Sequence, residues 1–401
     1  MSIIEKGKEF ITTIPFNKIG IKDLLDFEKT PRNMLIAGII VLFLGLFVIG
    51  GISYLVNGHH AYNVTREHPW GLLLAVYIFF VVSSTGLCII GSLGDVFKFK
   101  DYELISKRAI FGSIVTILAG FAVILLELGH PVTMIVYNIL SPGLTSAVWW
   151  MGTLYGLYLT FMIIEFVFLL KHNMKMARIF GLTGLLVGLS AHSNLGSIFG
   201  FLNARPISNG VFYPTYFILT AFITGIFIAF IIMGLRYRLE FPEKVKTMLT
   251  GLAKIQALLL SILIFFVTWK MLTDMYGGMP DRAEVAIHIL SSWTFWAEVV
   301  LAMLIPLVLI LKDMGKSHVL LFWVSLSGMV GIMFMRYNLV HDTQLKPLQM
   351  MKKTEYQLAP EWIHYAPSIT EIMISLGGLG VCMLLYWVGT KMFNLDEEEA
   401  H

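Results

Sequence analysis

The sequence predicts an all-α membrane protein that crosses the bilayer ten times. Of its 401 residues, 57% are hydrophobic and 14% are charged, whereas soluble domains carry about 25% charged residues. The hydrophobic residues form ten separate segments, each close to the roughly 20 residues that a helix needs to cross a bilayer core of about 30 Å. The stretches between these segments are too short for a separate soluble domain.

The predicted spans form one membrane domain over residues 34–393, with a polar tail at 1–33 and an acidic tail at 394–401. They lie at residues 34–55, 70–93, 109–129, 147–170, 179–202, 211–235, 250–273, 286–311, 317–340 and 369–391. The first tail lacks the apolar core of a cleavable signal peptide. Its residues 16–27 predict a short interfacial helix.

The charge distribution orients the chain. Most of the 29 Lys and Arg lie in the two tails and in the loops that follow the even-numbered spans. Basic loops stay on the cytoplasmic side of a membrane. We therefore expect a multi-pass membrane protein with both termini in the cytoplasm. The net charge of +3 reflects this bias and predicts no nucleic-acid partner.

The fifth span carries a stripe of small residues around one histidine. At about 100° per residue, its glycines and the histidine share one helix face. The members are Gly181, Gly184, Gly188, His192, Gly196 and Gly200. Such a stripe receives either another helix, which is its usual role in membranes, or a flat ring. An imidazole at membrane depth is costly, which favours a functional role for His192.

Cysteine and histidine usage limits the cofactors of the chain. Cys88 and Cys382 lie inside spans and form no CxxC motif, so the chain cannot hold an iron–sulfur cluster by itself. Of eleven histidines, His192 alone lies clearly in mid-span, which leaves no pair for a bis-histidine haem. We expect no haem, no iron–sulfur cluster and no metal site in this chain.

Polar and aromatic residues gather toward the outer ends of spans two to five. They are Trp70, Glu127, His130, His192, Ser193 and Arg205. We expect Trp70, Glu127, His192 and Arg205 to converge, because an imidazole and a carboxylate can exchange protons with a ring that bears two carbonyls or hydroxyls. Plainer alternatives remain: Trp70 as an interfacial anchor, Arg205 as a partner of a lipid headgroup and Glu127 as a snorkelling side chain.

Carboxylates also lie within the spans. Burying one at mid-bilayer costs about 2.5 to 3.5 kcal/mol, so Glu165 and Glu298 are expected to face polar partners inside the protein. Both are candidates for a proton path, and Glu298 is equally a candidate for a hydrogen bond between helices. Arg336 and Glu371 raise the same question.

Short motifs resemble a known family. They are HPWG at 68–71, LELGHP at 126–131, AHSNLG at 191–196 and ARP at 204–206. Their order and spacing resemble the NrfD/PsrC (polysulfide reductase) family of quinone-interacting membrane subunits. IEF at 164–166, FWAE at 295–298 and TEI at 370–372 are similar to its ten-helix branch, which includes HybB, DsrP, QrcD and membrane subunits of alternative complex III.

This resemblance implies a fold and an activity. Spans two to five (about 70–203) and six to nine (about 211–340) would form two four-helix bundles, flanked by spans one and ten. A quinone, menaquinone or ubiquinone, would bind near the outer face, with His192 and Glu127 as the pair that exchanges its protons. Several relatives carry Asp at the position of Glu127, which leaves its hydrogen-bond geometry open.

The resemblance also implies partners. A periplasmic four-cluster iron–sulfur subunit would exchange electrons with the quinone, beside a terminal catalytic subunit of a hydrogenase or of a sulfur-compound oxidoreductase. We therefore expect a quinone/quinol oxidoreductase subunit that acts only within a complex. One alternative is a secondary transporter or channel-like proton translocator without a redox role, although transporters place broken helices at mid-membrane and here only Pro306 lies within a span. Another is a scaffold, which would not require His192 or Glu127.

The long loop at 341–368 is a candidate docking surface for the iron–sulfur subunit. It mixes aromatic residues with cations, which suits a protein interface, although a loop of this length also suits a cover for its own bundle. The residues are Arg336 at its border, Lys346, Lys352, Lys353, Tyr356, Trp362 and Tyr365.

Overall fold

The computed structural model describes residues 30–205, 207–208, 210–347 and 362–396. Ten helices in these ranges are long and apolar enough to cross a membrane, and no strand occurs there, which confirms the predicted fold class. The spans are Pro31–Asn57, Leu72–Asp95, Lys100–Glu127, Ala147–Leu170, Met174–Gly200, Phe212–Arg236, Glu243–Tyr276, Trp293–Asp313, His318–Asp342 and Ile369–Met392. The interfacial helix predicted at 16–27 lies outside the described residues.

Three short helices lie in loops at one end of the spans: Gly58–Ala61, Pro131–Leu140 and Pro280–Ser291. We call this end, which also carries Trp70, the Trp70 end. The opposite end carries Asp396, whose carboxylate accepts hydrogen bonds from Arg108 and Arg236, and we call it the Asp396 end.

Three spans begin at least seven residues from their predicted starts: spans three, seven and eight, with span seven at Glu243 instead of residue 250. Span three begins at Lys100 instead of residue 109, because hydropathy detects only the lipid-facing turns of a helix and misses polar turns that continue it. Span eight was expected to begin at residue 286, yet the helix is interrupted between Ser291 and Trp293. The side chain of Ser292 accepts a hydrogen bond from the backbone N–H of Thr294 and so starts the span as an N-cap.

Span two lies at the centre of the protein. It packs along span three and also against spans five, six and nine, while spans one and ten pack together at the side. A Cβ atom on Gly86 would lie 2.7 Å from the backbone nitrogen of Gly225, so spans two and six cross with their backbones in contact. Spans two to five, which we call the first half, therefore meet spans six to nine, the second half, in a tight interface. The predicted domain boundaries stay a prediction.

The glycine stripe of span five is a helix-packing face. A Cβ on Gly188 would lie 2.8 Å from the Tyr158 ring of span four, and one on Gly196 would lie 2.7 Å from the carbonyl oxygen of Tyr213. Gly181 faces Glu165 in the same way. Of the two roles that the sequence left open, the described structure therefore gives the stripe to neighbouring helices, with His192 held between them.

Span eight contains a π-helical turn next to its proline. The turn runs from Val299 to Leu304, immediately before the α-helix Ile305–Asp313. Pro306 lacks the N–H that an α-helix needs at this point, and a wider turn accommodates the missing hydrogen bond. The helix stays continuous through the turn, unlike the broken helices of transporters. Glu298 directly precedes the turn.

Candidate functional site

The His192 side chain is completely buried in span five. Its Nδ1 lies 3.1 Å from the hydroxyl oxygen of Tyr155 in span four. Its Nε2 makes no hydrogen bond to any described residue. Because each nitrogen of a neutral imidazole is either donor or acceptor, the direction of the Tyr155 hydrogen bond decides whether Nε2 donates or accepts.

A row of aromatic rings joins Trp70 to His192. The Trp70 ring meets Phe199 at 5.6 Å between centroids, Phe199 meets Phe217 at 6.0 Å, and Phe217 meets His192 at 5.5 Å. The backbone of Trp70 is fixed by the side-chain amide of Gln344, which accepts from its N–H and donates to its carbonyl. Two buried phenylalanine rings thus connect the partly exposed Trp70 ring to the buried His192 imidazole.

Glu127 ends span three in a different group of residues. Its Oε2 is buried and has no hydrogen-bond partner among the described residues. It lies close to Tyr62, whose hydroxyl donates to the Leu126 carbonyl at 2.8 Å. Burial, and next the Glu127 carboxylate, raise the pKa of Tyr62. No hydrogen bond joins Glu127 to His192 within the described chain, so the structure brings Trp70 and His192 together but gives Glu127 other neighbours.

The other predicted residues occupy less central positions. Arg205 donates to the backbone carbonyls of Lys346 at 2.8 Å and Glu67 at 3.4 Å, and so ties three loops together at the Trp70 end. Its guanidinium is thus engaged within the chain. His130 is exposed at the start of a short helix, and Ser193 is half-buried beside His192 in sequence.

A histidine pair that sequence reasoning missed lies at the Trp70 end. His68 Nε2 lies 3.1 Å from His341 Nδ1, and the His68 ring stacks on Tyr365 at 4.4 Å. Burial, and next the neighbouring His341, lower the pKa of His68 to about 4. His68 is therefore neutral at pH 7. It belongs to the HPWG motif, which was the signal that could have revealed it.

Glu371 has an architectural role. Its carboxylate accepts hydrogen bonds from the backbone N–H groups of Asn63 at 3.1 Å, Leu72 at 3.2 Å and Ser368 at 2.9 Å, and from the Tyr365 hydroxyl. Together with Ser368 it forms the capping box that starts span ten. Glu371 thus fastens the starts of spans two and ten to each other.

Glu165 lies deep in the first half. The side chain is completely buried, and neither oxygen has a hydrogen-bond partner among the described residues. It lies close to Asp95 and Cys88, toward the Asp396 end. Between this group and His192 lie hydroxyl groups, with Ser113 at 2.7 Å and Ser84 at 3.1 Å from the hydroxyl of Tyr158.

A second polar group surrounds a cavity of about 70 Å³ in the second half. Glu298 accepts a hydrogen bond of 2.8 Å from Asn338 Nδ2, while Asn338 Oδ1 is buried without a partner among the described residues. Asp342 and Lys270 also line the cavity, and Lys270 pairs with Asp274. A water molecule needs about 10 to 15 Å³ of such space, so the cavity has room for several.

Arg336 was counted both among the charged residues within the spans and at the border of the long loop. The structure buries it completely inside span nine. Lys346 pairs with Glu284 within the chain, while residues 348–361 of the proposed docking loop lie outside the described residues. The described part of the chain holds no group of three or more residues suited to a metal ion, and the cofactor-free expectation stays a prediction.

Comparison with known proteins identifies the family. Residues 59–347 match the family described as Polysulphide reductase, NrfD. The chain belongs to the NrfD family. This confirms the resemblance seen in the motifs, and the matched region contains all the candidate site residues in spans two to nine.

Two relatives of this NrfD-family chain match nearly end to end. The Hdr-like menaquinol oxidoreductase integral membrane subunit of Archaeoglobus fulgidus is 24% identical over 377 residues, covering 90% of this chain and 94% of that protein. One subunit of the selenate reductase from Mesobacillus selenatarsenatis is 22% identical over 403 residues, covering 88% of this chain and 93% of that protein. Both relatives are subunits of oxidoreductases.

Proposed function

We propose that the chain is the quinone-reactive membrane subunit of a multi-subunit oxidoreductase, with menaquinol as its substrate. The observation that carries the proposal is His192, a buried imidazole whose Nε2 has no partner within the described chain, at the end of the aromatic row from Trp70. The name of the Archaeoglobus fulgidus relative supports menaquinol as the substrate.

In the proposed reaction, menaquinol becomes menaquinone and gives up two electrons and two protons. The electrons pass to a periplasmic four-cluster iron–sulfur subunit and from there to a terminal catalytic subunit. His192 Nε2 accepts a hydroxyl proton when the Tyr155 oxygen accepts from Nδ1–H. When Tyr155 instead donates to Nδ1, Nε2–H donates to a quinone carbonyl, so the pair serves both redox forms.

The remaining predicted residues complete this proposal. Trp70, Phe199 and Phe217 offer faces against which the quinone ring packs. Glu127 takes the second proton, and His130, Ser193 and Arg205 shape the entrance. Protons travel by Glu165 in the first half and by Glu298 in the second. The Trp70 end faces the periplasm, and the protein resides in the bacterial inner membrane with cytoplasmic termini.

The test is His192→Ala in the assembled complex. We expect the menaquinol-linked rate to fall by about 10²- to 10⁴-fold, because proton exchange at the ring is lost. Activity of the partner with an artificial dye should survive. Tyr155→Phe removes a single hydrogen bond worth about 0.5 to 1.5 kcal/mol and should cost roughly tenfold or less.

The matched control is His60→Ala, an exposed histidine at the same end of the protein. It should leave both rates unchanged. A menaquinol-linked rate in His192→Ala equal to that of the wild type would refute the proposed site. It would favour a transporter or a scaffold, neither of which needs an imidazole there.

A further inference from the structure

Arg336 is a buried arginine without a carboxylate in ion-pair contact among the described residues. It is completely buried in span nine. Its Nη2 donates to the hydroxyl of Thr220 in span six at 2.6 Å. Its Nε and Nη1 make no hydrogen bond in the described structure. A buried charge without a close partner is costly, so its surroundings must compensate it at longer range.

Two aromatic rings lie near the guanidinium of Arg336 and compensate its charge. Its guanidinium carbon lies 5.2 Å from the ring centroid of Phe217 and 5.9 Å from that of Tyr216. Phe217 in turn meets the His192 ring at 5.5 Å. Arg336 therefore lies where the two halves of the protein meet, one aromatic ring away from the proposed quinone-reactive imidazole.

Charged and titratable groups surround Arg336 on several spans. In the first half, Tyr155 of span four holds His192 by a hydrogen bond, and His192 meets the Phe217 ring that also faces the guanidinium. In the second half, the Tyr216 ring that faces the guanidinium lines the same cavity as Glu298. One aromatic ring therefore separates the guanidinium from His192 on one side, and another separates it from the Glu298 cavity on the other.

We propose that Arg336 couples the charge of His192 to the protonation of Glu298. This inference rests on the proposed function, in which His192 takes a proton from menaquinol. Protonated His192 repels the guanidinium of Arg336. An ionised Glu298 carboxylate offsets this repulsion, so the Glu298 carboxyl loses its proton. A menaquinol O–H bond breaks as the N–H bond at His192 Nε2 forms, and the O–H bond of the Glu298 carboxyl breaks as its proton passes to Asp342.

The cavity beside Glu298 supplies a destination for that proton. Asn338 Nδ2 donates to the Glu298 carboxyl at 2.8 Å, its Oδ1 is buried without a partner in the described structure, and both residues line the space of about 70 Å³. Asp342 contributes a second carboxylate to the wall. Water in the cavity would carry the proton from Glu298 to Asp342, which ends span nine at the Trp70 end.

The experiment labels Glu298 in the intact complex with dicyclohexylcarbodiimide, which modifies protonated carboxyl groups in apolar surroundings, and measures the labelled peptide by mass spectrometry. In the wild type, labelling should fall during turnover with menaquinol and the electron acceptor of the complex. In Arg336→Gln this response should be lost, and half-maximal labelling of the resting complex should move about one pH unit alkaline, because a positive charge has been removed.

Two variants separate charge from structure. Thr220→Val removes the hydrogen bond of Arg336 but keeps its charge, and Arg336→Lys keeps a cation; both should retain the response. A wild type whose labelling ignores turnover, or an Arg336→Gln variant that responds normally, overturns the coupling. The outcome is separable from the proposed function, because loss of the menaquinol-linked rate in His192→Ala would still stand.

Discussion

The two halves of the membrane protein bury different kinds of polar groups. In spans two to five, His192 and Tyr155 lie among aromatic rings, and Glu165 is completely buried. In spans six to nine, Glu298 and Asn338 line a cavity with room for several water molecules. The first half therefore combines the imidazole proposed to contact the quinone with the buried Glu165, whereas the second places Glu298 beside space for water. Both carboxylates belong to the proposed proton route.

The interface between the halves gives the largest expected effect. Gly86→Ala would force a Cβ atom against the Gly225 backbone, where neither helix can yield, since the clash is with main chain. We expect loss of the assembled complex or a large fall in its thermal midpoint. Gly156→Ala, where a Cβ meets open space, is the matched control. Normal assembly of Gly86→Ala would show that the halves are not held by this crossing.

Glu127→Gln tests how far the first half depends on a second proton carrier. It preserves the size of the side chain and removes proton exchange, so we expect the menaquinol-linked rate to fall by about 10²-fold. Dye-linked activity of the partner provides the internal reference. Asp101→Asn, at the exposed start of the same span, should have no effect. A fully active Glu127→Gln variant would show that Glu127 has only a structural role. The lack of a hydrogen bond between Glu127 and His192 in the described structure would help to explain that result.

Glu165→Gln compares the buried carboxylates of the two halves. If Glu165 carries protons toward the quinone site, its replacement should slow menaquinol-linked turnover by roughly tenfold or more. Thr160→Val, on an exposed position of the same span, controls for packing. Measuring Glu298→Gln in parallel shows whether the second half contributes. Equal rates in Glu165→Gln and the wild type would remove the first half from the proton route.

Asp396→Asn should have the smallest effect. Burial raises the pKa of Asp396, but its hydrogen bonds with Arg108 and Arg236 more than offset this, and the pKa lies below its ordinary value of 3.8. Its stabilisation is therefore present above that pH and is lost as the pH falls through the lowered value. Because the carboxylate is 43% exposed, we expect less than about 1 kcal/mol at pH 7.

The thermal midpoint of the complex against pH checks this prediction. Wild type and Asp396→Asn should differ slightly at pH 7 and converge in acid. A difference that grows in acid would contradict the assigned ion pairs. The menaquinol-linked rate should be unchanged, because Asp396 lies at the opposite end from Trp70.

Much of the fold could be predicted from the sequence because apolar segments of membrane-spanning length are a strong signal. His192 could be found for the same reason, since a histidine interrupts such a segment. Tyr155 and Asn338 could not be identified from the sequence, because each is recognised only by its hydrogen bond to a residue of another span. The role of Glu371 was readable in part, as Ser368 and Glu371 have the spacing of a capping box. Its hydrogen bonds to the backbone of the loop before span two and of span two itself could be recognised only in the three-dimensional structure.

The place of the quinone can be measured by photolabelling the complex with an azido-naphthoquinone and mapping the modified peptides. We expect labels on the row formed by Trp70, Phe199 and Phe217, and we expect excess menaquinone to suppress them. Labelling should also weaken in His192→Ala. Suppressible labels confined to the cavity beside Glu298, with none on this row, would contradict the assignment of the quinone to the row beside His192.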